Sequence, residues 1–416
     1  MSKTFKFCKA PFGSIYVRPN VRPNPQAGKQ TEISFCCVQT EKYMLKENET
    51  VNDFWKSDWA KEHRQQFLNK EWPSSCSYCE WKENNNIESD IGTHQQITIK
   101  EYNISDGNEM AKPKYVDYRP DNLCNLMCTM CGPSNSNLIE DMWREIPISP
   151  GWHHEANAGI DGDVTIEEEE LVTKELLGNH TMQLKVLGGE PTINKKVHSV
   201  FQYAIDKGYA QNIDLKITTN FTNVNKTYDM FDKFKSCRIQ ASIDATGPTY
   251  DYIRRPAKWS AVKEKLLQFA DRYENSYPKM QWNFNIVWQL ANCFTVKDWL
   301  PELLDMFYND PKLKKIAKQD VGLSLINCDG TGITLDAIPD SMKHYIIDDL
   351  EDLLKDWKHN PFAFKDIETL IKYTENAKFT NLQHRAFKRK FTLMDQYKKT
   401  NMFELSPRFK ELYDFR

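Results

Sequence analysis

Residues 113–333 alternate short apolar runs with longer amphipathic segments, and this alternation leaves the chain few possible architectures. The runs typical of strands are Tyr115–Tyr118, Met182–Leu187, Asp214–Thr218, Arg238–Ile243, Gln281–Trp288 and Val321–Ile326. The helical patterns between them are Asn137–Glu145, Lys195–Lys207, Tyr228–Lys235, Trp259–Tyr273 and Val296–Tyr308. Strands joined by helices form right-handed βαβ units and a parallel sheet. Six units cannot close an eightfold barrel, so we expect an α/β fold with a partial (βα)6 TIM-like barrel.

The rest of the chain has a different character. Residues 1–82 are rich in cysteine, with a strand at Ser14–Val17, a helix over Val51–Asn69, few other strands and little core. Residues 83–112 are polar and predict a linker with one strand at Gln96–Lys100. Residues 334–416 predict a charged helical extension. Within the barrel we expect an insertion at 146–163 and a helix that starts with a capping box at Thr165–Glu168.

Composition excludes several classes of protein. The 55 Lys and Arg residues nearly balance the 58 Asp and Glu residues, so a nucleic-acid partner or an anionic membrane surface is not expected. A mean hydropathy of −0.67 predicts no membrane span. The first eight residues show no secretory signal, and eleven cysteines are an odd number, so we expect a cytoplasmic protein without a disulfide framework.

The cysteines occur in two groups, and three isolated ones, Cys237, Cys293 and Cys328, are expected to be small buried apolar residues. Cys124, Cys128 and Cys131 follow the first barrel strand with the spacing C-x3-C-x2-C. Active sites of α/β folds lie at this end of the strands. A four-iron cluster that only carries electrons has four cysteine ligands, so three ligands leave one iron open to another group.

This cysteine run resembles the signature of the radical S-adenosylmethionine (radical SAM) superfamily, over about residues 114–330. The resemblance implies that Cys124, Cys128 and Cys131 bind a 4Fe–4S cluster and that the open iron binds SAM. The family usually has an aromatic residue where Met130 stands, and Met130 is expected beside the adenine. Leu187-Gly-Gly-Glu-Pro191 resembles the family's GGEP element. The residues then expected to bind SAM are Gly188, Gly189, Glu190, Asn220, Ser242, Asp244 and Arg254.

In this assignment Glu190 holds the SAM amino group, Arg254 and Ser242 hold the carboxylate, and Asn220 and Asp244 lie near the ribose. Other interpretations of these residues stay open. Asn220, Ser242 and Asp244 could be ordinary caps of βα loops, Arg254 could form a surface salt bridge, and a zinc site is the alternative for the cysteine run.

The amino-terminal cysteines resemble the Twitch and SPASM modules, which bind auxiliary 4Fe–4S clusters in many radical SAM enzymes. In most of those enzymes the module follows the barrel, whereas here it precedes it. The expected ligands are Cys8, Cys36, Cys76 and Cys79. Neighbouring residues in a strand point to opposite faces, so Cys37 is an alternative to Cys36 and not an additional ligand. A zinc ribbon on the same cysteines remains the other interpretation.

The resemblance implies an enzyme that reductively cleaves SAM to a 5′-deoxyadenosyl radical, which abstracts hydrogen from a substrate. The electron donor would be a protein such as flavodoxin or ferredoxin. The expected substrate is a peptide or protein side chain, and the rival is a small molecule such as a sugar or nucleotide precursor. A zinc scaffold without catalytic activity is the alternative of another class.

Overall fold

The computed structural model describes residues 5–19, 31–46, 48–84, 89–95, 112–146, 170–319, 322–328 and 332–415. Several predictions therefore lie outside the described residues. These are the strand Gln96–Lys100, most of the linker at 83–112, the insertion at 146–163 and the capping box at Thr165–Glu168.

The strands form one mostly parallel sheet, which makes the protein a mixed α/β fold. Their bounds are β1 Ser14–Pro19, β2 Thr31–Ser34, β3 Tyr43–Leu45, β4 Tyr115–Tyr118, β5 Gln183–Val186, β6 Asp214–Thr219, β7 Ser236–Ser242, β8 Met280–Trp288 and β9 Ser324–Asn327. The order across the sheet is β3-β2-β1-β4-β5-β6-β7-β8-β9. The six strands predicted for residues 113–333 are all present, as β4 to β9.

The helices also follow the amphipathic pattern. Their bounds are α1 Val51–Lys56, α2 Asp58–Leu68, α3 Ser77–Asn84, α4 Asn137–Glu145, α5 Lys195–Asp206, α6 Tyr228–Phe231, α7 Gly247–Ile253, α8 Trp259–Tyr273, α9 Leu290–Cys293, α10 Val296–Leu304, α11 Leu313–Ile316, α12 Asp340–Asp356, α13 Pro361–Asn376, α14 Asn381–Lys398 and α15 Pro407–Asp414. A π-helical turn at Asp305–Asn309 continues α10. In the described residues, no helix is both long and apolar enough to cross a membrane.

The chain divides into two compact units. The first unit comprises Met1–Asn122, Ala158–Ile217 and Asp229–Cys237, and the second comprises Leu123–Asn157, Thr218–Tyr228 and Arg238–Arg416.

In the first unit, the amino-terminal segment contributes three strands to the sheet. β1 pairs with β2 antiparallel and with β4 parallel, and β4 pairs with β5 in parallel. The alternate residues Ile15 and Val17 of β1 and Ile33 of β2 are fully buried. The expectation of few strands and little core before residue 82 was therefore wrong, because short strands that gain partners on an existing sheet need no long apolar run of their own.

The helix predicted over Val51–Asn69 is interrupted at Ser57. This residue has an extended backbone (φ −61°, ψ 158°), and its hydroxyl accepts a hydrogen bond from the Ala60 backbone N–H, so it ends α1 and caps α2. The two helices pack their apolar faces around Phe35, whose ring centroid lies 5.4 Å from that of Phe54 and 5.5 Å from that of Trp59.

In the second unit, β8 and β9 are parallel neighbours, and the helices after residue 334 pack against the same unit. Trp288 at the end of β8 is fully buried, with its ring centroid 6.3 Å from that of Trp299 in α10. A smaller apolar cluster joins Ile139, Met142 and Trp143 of α4 to Met394 of α14. The helical extension is therefore part of the core of this unit.

The isolated cysteines Cys237, Cys293 and Cys328 are buried, as the sequence predicted.

Candidate functional site

The segment Cys124–Cys131, here called the cysteine loop, is fixed at its start by the beginning of α4. The backbone N–H of Cys124 donates to Asn137 Oδ1 at 2.8 Å. The Ser136 hydroxyl donates to the carbonyl of Leu126 at 2.8 Å and accepts from the backbone N–H of Ile139, so it caps α4 and holds the loop at once. The start of the loop is thus set by the same residues that start the helix.

The next contact comes from Asn220, which follows β6. The Asn220 amide nitrogen donates to Asn125 Oδ1 at 2.9 Å, and its oxygen accepts from the backbone N–H and hydroxyl of Thr222. The amide of Asn125 in turn donates to the Thr222 hydroxyl at 2.9 Å. The side chain of Asn220, which we expected near a ribose, therefore contacts the cysteine loop.

The middle of the loop lies against the end of α7. The backbone N–H of Met127 donates to the carbonyl of Arg255 at 2.6 Å, and that of Thr129 donates to the carbonyl of Ile253 at 3.0 Å. The Thr129 hydroxyl donates to Gln289 Oε1 at 2.9 Å, and Gln289 is fully buried. Sequence reasoning missed Gln289, although its position directly after a strand of the sheet could have suggested it.

Arg254 lies beside the second cysteine of the loop. Its Nε and Nη2 atoms each lie 2.8 Å from Asp244 Oδ2, and its Nη1 lies 3.7 Å from the Cys128 sulfur. The other oxygen of Asp244 accepts from the backbone N–H of Val287 at 2.9 Å. Burial works against the charge of Arg254, but Asp244 first and Cys128 second raise the pKa of the guanidinium above its usual value. The structure thus brings together Cys128, Asp244 and Arg254, all three singled out from the sequence.

The remaining predicted residues of the second unit occupy the loop and the end of a strand. Burial, and then the neighbouring Cys128, raise the pKa of the Cys131 thiol to about 12, while Arg254 opposes this shift. Met130 is half-buried in the turn before Cys131, and Ser242 is half-buried at the end of β7.

Two buried polar atoms of this region lack a hydrogen-bond partner among the described residues. They are the amide nitrogen of Gln289 and the hydroxyl of Tyr250. Burial raises the pKa of Tyr250, and among its charged neighbours are Arg254 and Cys128. Buried polar atoms without partners are uncommon in folded proteins and are typical of places where a ligand or water completes the bonding.

In the first unit, Gly188, Gly189 and Glu190 follow β5. Gly188 has φ +126°, and a Cβ atom there would lie 2.9 Å from the carbonyl oxygen of Asp121, so the backbone needs glycine. The backbone N–H of Gly189 donates to that same carbonyl at 3.0 Å. The Glu190 carboxylate is buried, and its Oε1 accepts from the backbone N–H and hydroxyl of Thr192. This turn is rigid, and Glu190 caps the short helix that follows it.

The first unit also brings four of the amino-terminal cysteines together around one cavity. They are Cys8, Cys36, Cys76 and Cys79, which are the four ligands expected from the sequence. Cys37 does not line this cavity. The rest of the lining is mostly apolar and aromatic and consists of Val38, Gln39, Phe67, Trp72, Ile91 and His94. Burial raises the pKa of Cys76 to about 12 and that of Cys36 well above its usual value, with Cys8 among the neighbours of Cys36.

A buried polar network supports this cavity. The Ser75 hydroxyl lies 2.7 Å from His63 Nε2 and 3.9 Å from the Cys76 sulfur, and it accepts from the Gln39 amide at 3.1 Å. Gln39 Oε1 accepts from the backbone N–H of Phe35 at 2.8 Å. Burial lowers the pKa of His63, whose Nδ1 lies 2.7 Å from the carbonyl of Trp59. The positions of Cys36 and Cys76 are therefore tied to side chains of three different segments.

The donor chemistry of both groups fits iron–sulfur clusters, which cysteine thiolates hold. In the part of the chain that the structure describes, no three Cys, His, Asp or Glu side chains converge as they would around a single metal ion.

No family model and no curated protein matches this chain. Among solved structures, it is similar to one described as native anSMEcpe with bound S-adenosylmethionine, with a TM-score of 0.38, 16% identity, and coverage of 58% of this chain and 60% of that chain. It is also similar to SuiB from Streptococcus suis bound to S-adenosylmethionine, with a TM-score of 0.36, 14% identity, and coverage of 76% and 63%. For SuiB bound to the precursor peptide SuiA, the TM-score is 0.34, the identity 12%, and the coverage 88% and 71%. The chain thus spans about three fifths of the length of the first two structures.

Proposed function

We propose that this chain is a radical SAM enzyme in which Cys124, Cys128 and Cys131 hold a 4Fe–4S cluster. The observation that carries the proposal is the cysteine loop itself. Its backbone or side chains are hydrogen-bonded to other segments at Cys124, Asn125, Leu126, Met127 and Thr129. A loop fixed this closely presents its thiols in one arrangement, as a metal site requires. In this proposal the strands β4 to β9 form a partial (βα)6 barrel.

A cluster held by Cys124, Cys128 and Cys131 would supply the single electron that breaks the bond between sulfur and C5′ of SAM, which gives methionine and a 5′-deoxyadenosyl radical that would abstract hydrogen from the substrate. The protein's part is to hold and orient SAM and to exclude water from the site. Arg254 brings a guanidinium hydrogen to Cys128, where it would stabilise the negative charge of the thiolate. Gln289 and Tyr250 offer a buried N–H and O–H for a bound group.

For SAM, we assign Gly188, Gly189 and Glu190 to the methionyl amino group, since the buried carboxylate is the natural partner of an ammonium. Met130 would lie beside the adenine and Ser242 beside the carboxylate. Asn220 donates a hydrogen bond to Asn125, and Arg254 pairs with Asp244. The side chains of Asn220, Asp244 and Arg254 would therefore act on SAM mainly by fixing the cluster that binds it.

We further assign an auxiliary 4Fe–4S cluster to Cys8, Cys36, Cys76 and Cys79, as in a Twitch or SPASM-like module. The support is that these four side chains line one cavity whereas Cys37 does not. Four cysteine ligands leave no iron open, which favours a role in electron transfer or structure. A peptide or protein side chain is the proposed substrate, with a flavodoxin or ferredoxin as the electron donor.

Anaerobic reconstitution with iron and sulfide tests the proposal. We expect a brown protein with about eight irons per chain that forms 5′-deoxyadenosine from SAM and dithionite. Cys128→Ala should abolish this product, whereas Cys237→Ala, at a buried cysteine outside both groups, should retain it. A colourless protein that holds zinc, or a Cys128→Ala variant that still makes the product, would overturn the assignment. Activity on peptides but not on sugars or nucleotides would establish the substrate class.

A further inference from the structure

Lys398 is the last residue of α14, and its side chain enters the neighbourhood of the cysteine loop. Its relative exposure is only 6%, which is unusual for lysine. Its Nζ donates to the carbonyl oxygen of Met127 at 2.6 Å. With the Met127 backbone N–H bound to the carbonyl of Arg255, both polar backbone groups of Met127 are occupied. A residue from the far end of the chain thus fixes the middle of the loop.

Two of the loop's cysteines are among the charged neighbours of Lys398. Burial lowers the pKa of this lysine to about 8 and Lys390 lowers it further, whereas Cys128, Asp395 and Cys131 raise it. Asp395, the nearby carboxylate, already accepts from the Thr400 hydroxyl at 2.6 Å and from the backbone N–H of Met402 at 2.9 Å. The partial negative charge at the carboxyl end of α14 also favours a cation at this position.

Lys398 is compensated differently from Arg254, another cation beside the loop. The charge of Arg254 is offset by Asp244, which lies 2.8 Å away. The hydrogen bond of Lys398 goes to a carbonyl oxygen, which carries no net charge, and Asp395 is a neighbouring carboxylate. Burying an ammonium is costly unless negative groups compensate for it. Thiolates holding a reducible cluster would add to the compensation that Asp395 provides.

We propose that Lys398 is a positioning residue that raises the reduction potential of the cluster at Cys124, Cys128 and Cys131. The inference rests on the proposed function. Reduction adds one negative charge to the cluster, and a buried cation bonded to Met127, the residue before Cys128, stabilises the charged form. The hydrogen bond to Met127 keeps the ammonium beside the loop.

A redox titration of the reconstituted protein, followed by electron paramagnetic resonance, tests this inference. The signal to follow is the one that changes when SAM is added, because it belongs to the cluster with the open iron. Lys398→Gln retains an N–H donor for Met127 but loses the charge, and we expect its midpoint potential to shift to a more negative value. Lys398→Arg keeps the charge and should stay close to the parent protein. Lys399→Gln removes a charge from the exposed neighbouring residue and should change nothing.

A parent-like potential in Lys398→Gln, or an equal shift in Lys399→Gln, would overturn the proposal. If Lys398→Gln cannot retain the cluster while Lys398→Arg does, the iron content itself shows the dependence on charge. Loss of the cluster in both variants would contradict the proposed role of the charge. Absence of a SAM-responsive signal in the parent protein would instead defeat the proposed function, so the two failures are distinguishable.

Discussion

Arg254 and Asp244 form a buried ion pair in which two guanidinium nitrogens each lie 2.8 Å from the same carboxylate oxygen. The third nitrogen lies 3.7 Å from the Cys128 sulfur. The planar guanidinium carries its N–H groups in fixed directions, so two of its nitrogens bind the carboxylate while the third reaches the sulfur. The pair therefore sets the direction from which positive charge reaches the second cysteine.

Removing the guanidinium should destabilise the second unit. In Arg254→Gln, Asp244 remains buried without its counter-ion, and such losses typically cost about 3–5 kcal/mol. We expect an unfolding midpoint in urea well below that of the parent chain. Arg255→Gln is the matched control, since Arg255 contacts the loop through its backbone carbonyl and should unfold close to the parent. Equal midpoints for the two variants would contradict the assigned role of the pair.

Gln289→Ala should weaken retention of the proposed cluster without changing a thiol. The substitution leaves the Thr129 hydroxyl without its acceptor, at a cost of about 1–3 kcal/mol, and loosens the loop at that residue. We expect faster loss of iron to a chelator, measured by the fading of the brown colour. Gln281→Ala, at the other end of β8, removes the same side chain from a site without contact to the loop and serves as the control. The same rate of loss in both variants would argue against this role of Gln289.

The adjacent cysteines of the first unit offer a direct comparison. Cys36→Ser should lose the auxiliary cluster, so that about four irons per chain remain, because Cys36 lines the cavity with three other cysteines. Cys37→Ser should keep the full complement. Iron analysis after reconstitution measures both. The reverse result would make Cys37 the ligand and Cys36 the spare.

Asp366 should make the stability of the second unit depend on pH. Burial raises the pKa of Asp366 to about 6. The backbone N–H of Leu323 and the hydroxyl of Tyr308 donate hydrogen bonds to the carboxylate, and these bonds act in the opposite direction by lowering the pKa. The folded state therefore binds more protons than the unfolded state between about pH 4 and pH 6, so the free energy of unfolding falls as the pH rises through this window. Asp366→Asn keeps an acceptor oxygen for both donors and carries no charge.

We therefore expect Asp366→Asn to be more stable than the parent at pH 8, by up to about 3 kcal/mol, with a smaller gain at pH 5. Urea unfolding at the two pH values measures the difference. Asp352→Asn is the control: Asp352 is exposed, and its hydrogen bonds to Lys297 and Lys355 lower its pKa, so its loss should bring no gain at pH 8. A gain that does not change with pH would show that the charge of Asp366 is not its cause.

The alternation of apolar runs was enough to predict the strands and most helices of residues 113–333. α4 and α8 have the predicted bounds, since Asn137–Glu145 and Trp259–Tyr273 are strongly amphipathic. The helix after β6 is shorter than predicted and ends at Phe231, because periodicity does not show where a turn begins. Val296–Tyr308 consists of an α-helix followed by a π-helical turn.

The four cysteines that line the cavity of the first unit are those expected from the resemblance to Twitch and SPASM modules. The residues that support the cysteine loop were not predicted, because no feature of the sequence around each of them marks it as a partner of the loop. Lys398 and Met127 are 271 residues apart in the sequence, and Thr129 and Gln289 are 160 apart. A lysine at a helix end looks like any solvated cation until the fold shows that it is buried.

The pairing of β1 with β4 bears on any attempt to find a minimal fragment of this protein. A truncation that deletes the first 82 residues would remove more than the four cysteines of the cavity. It would remove the hydrogen-bonding neighbour along the whole length of β4, Tyr115–Tyr118, and turn an interior strand into an edge strand that can pair with other molecules. Shortened versions that retain the three cysteines at 124–131 should therefore precipitate, and the protein is best studied with residues 1–82 retained.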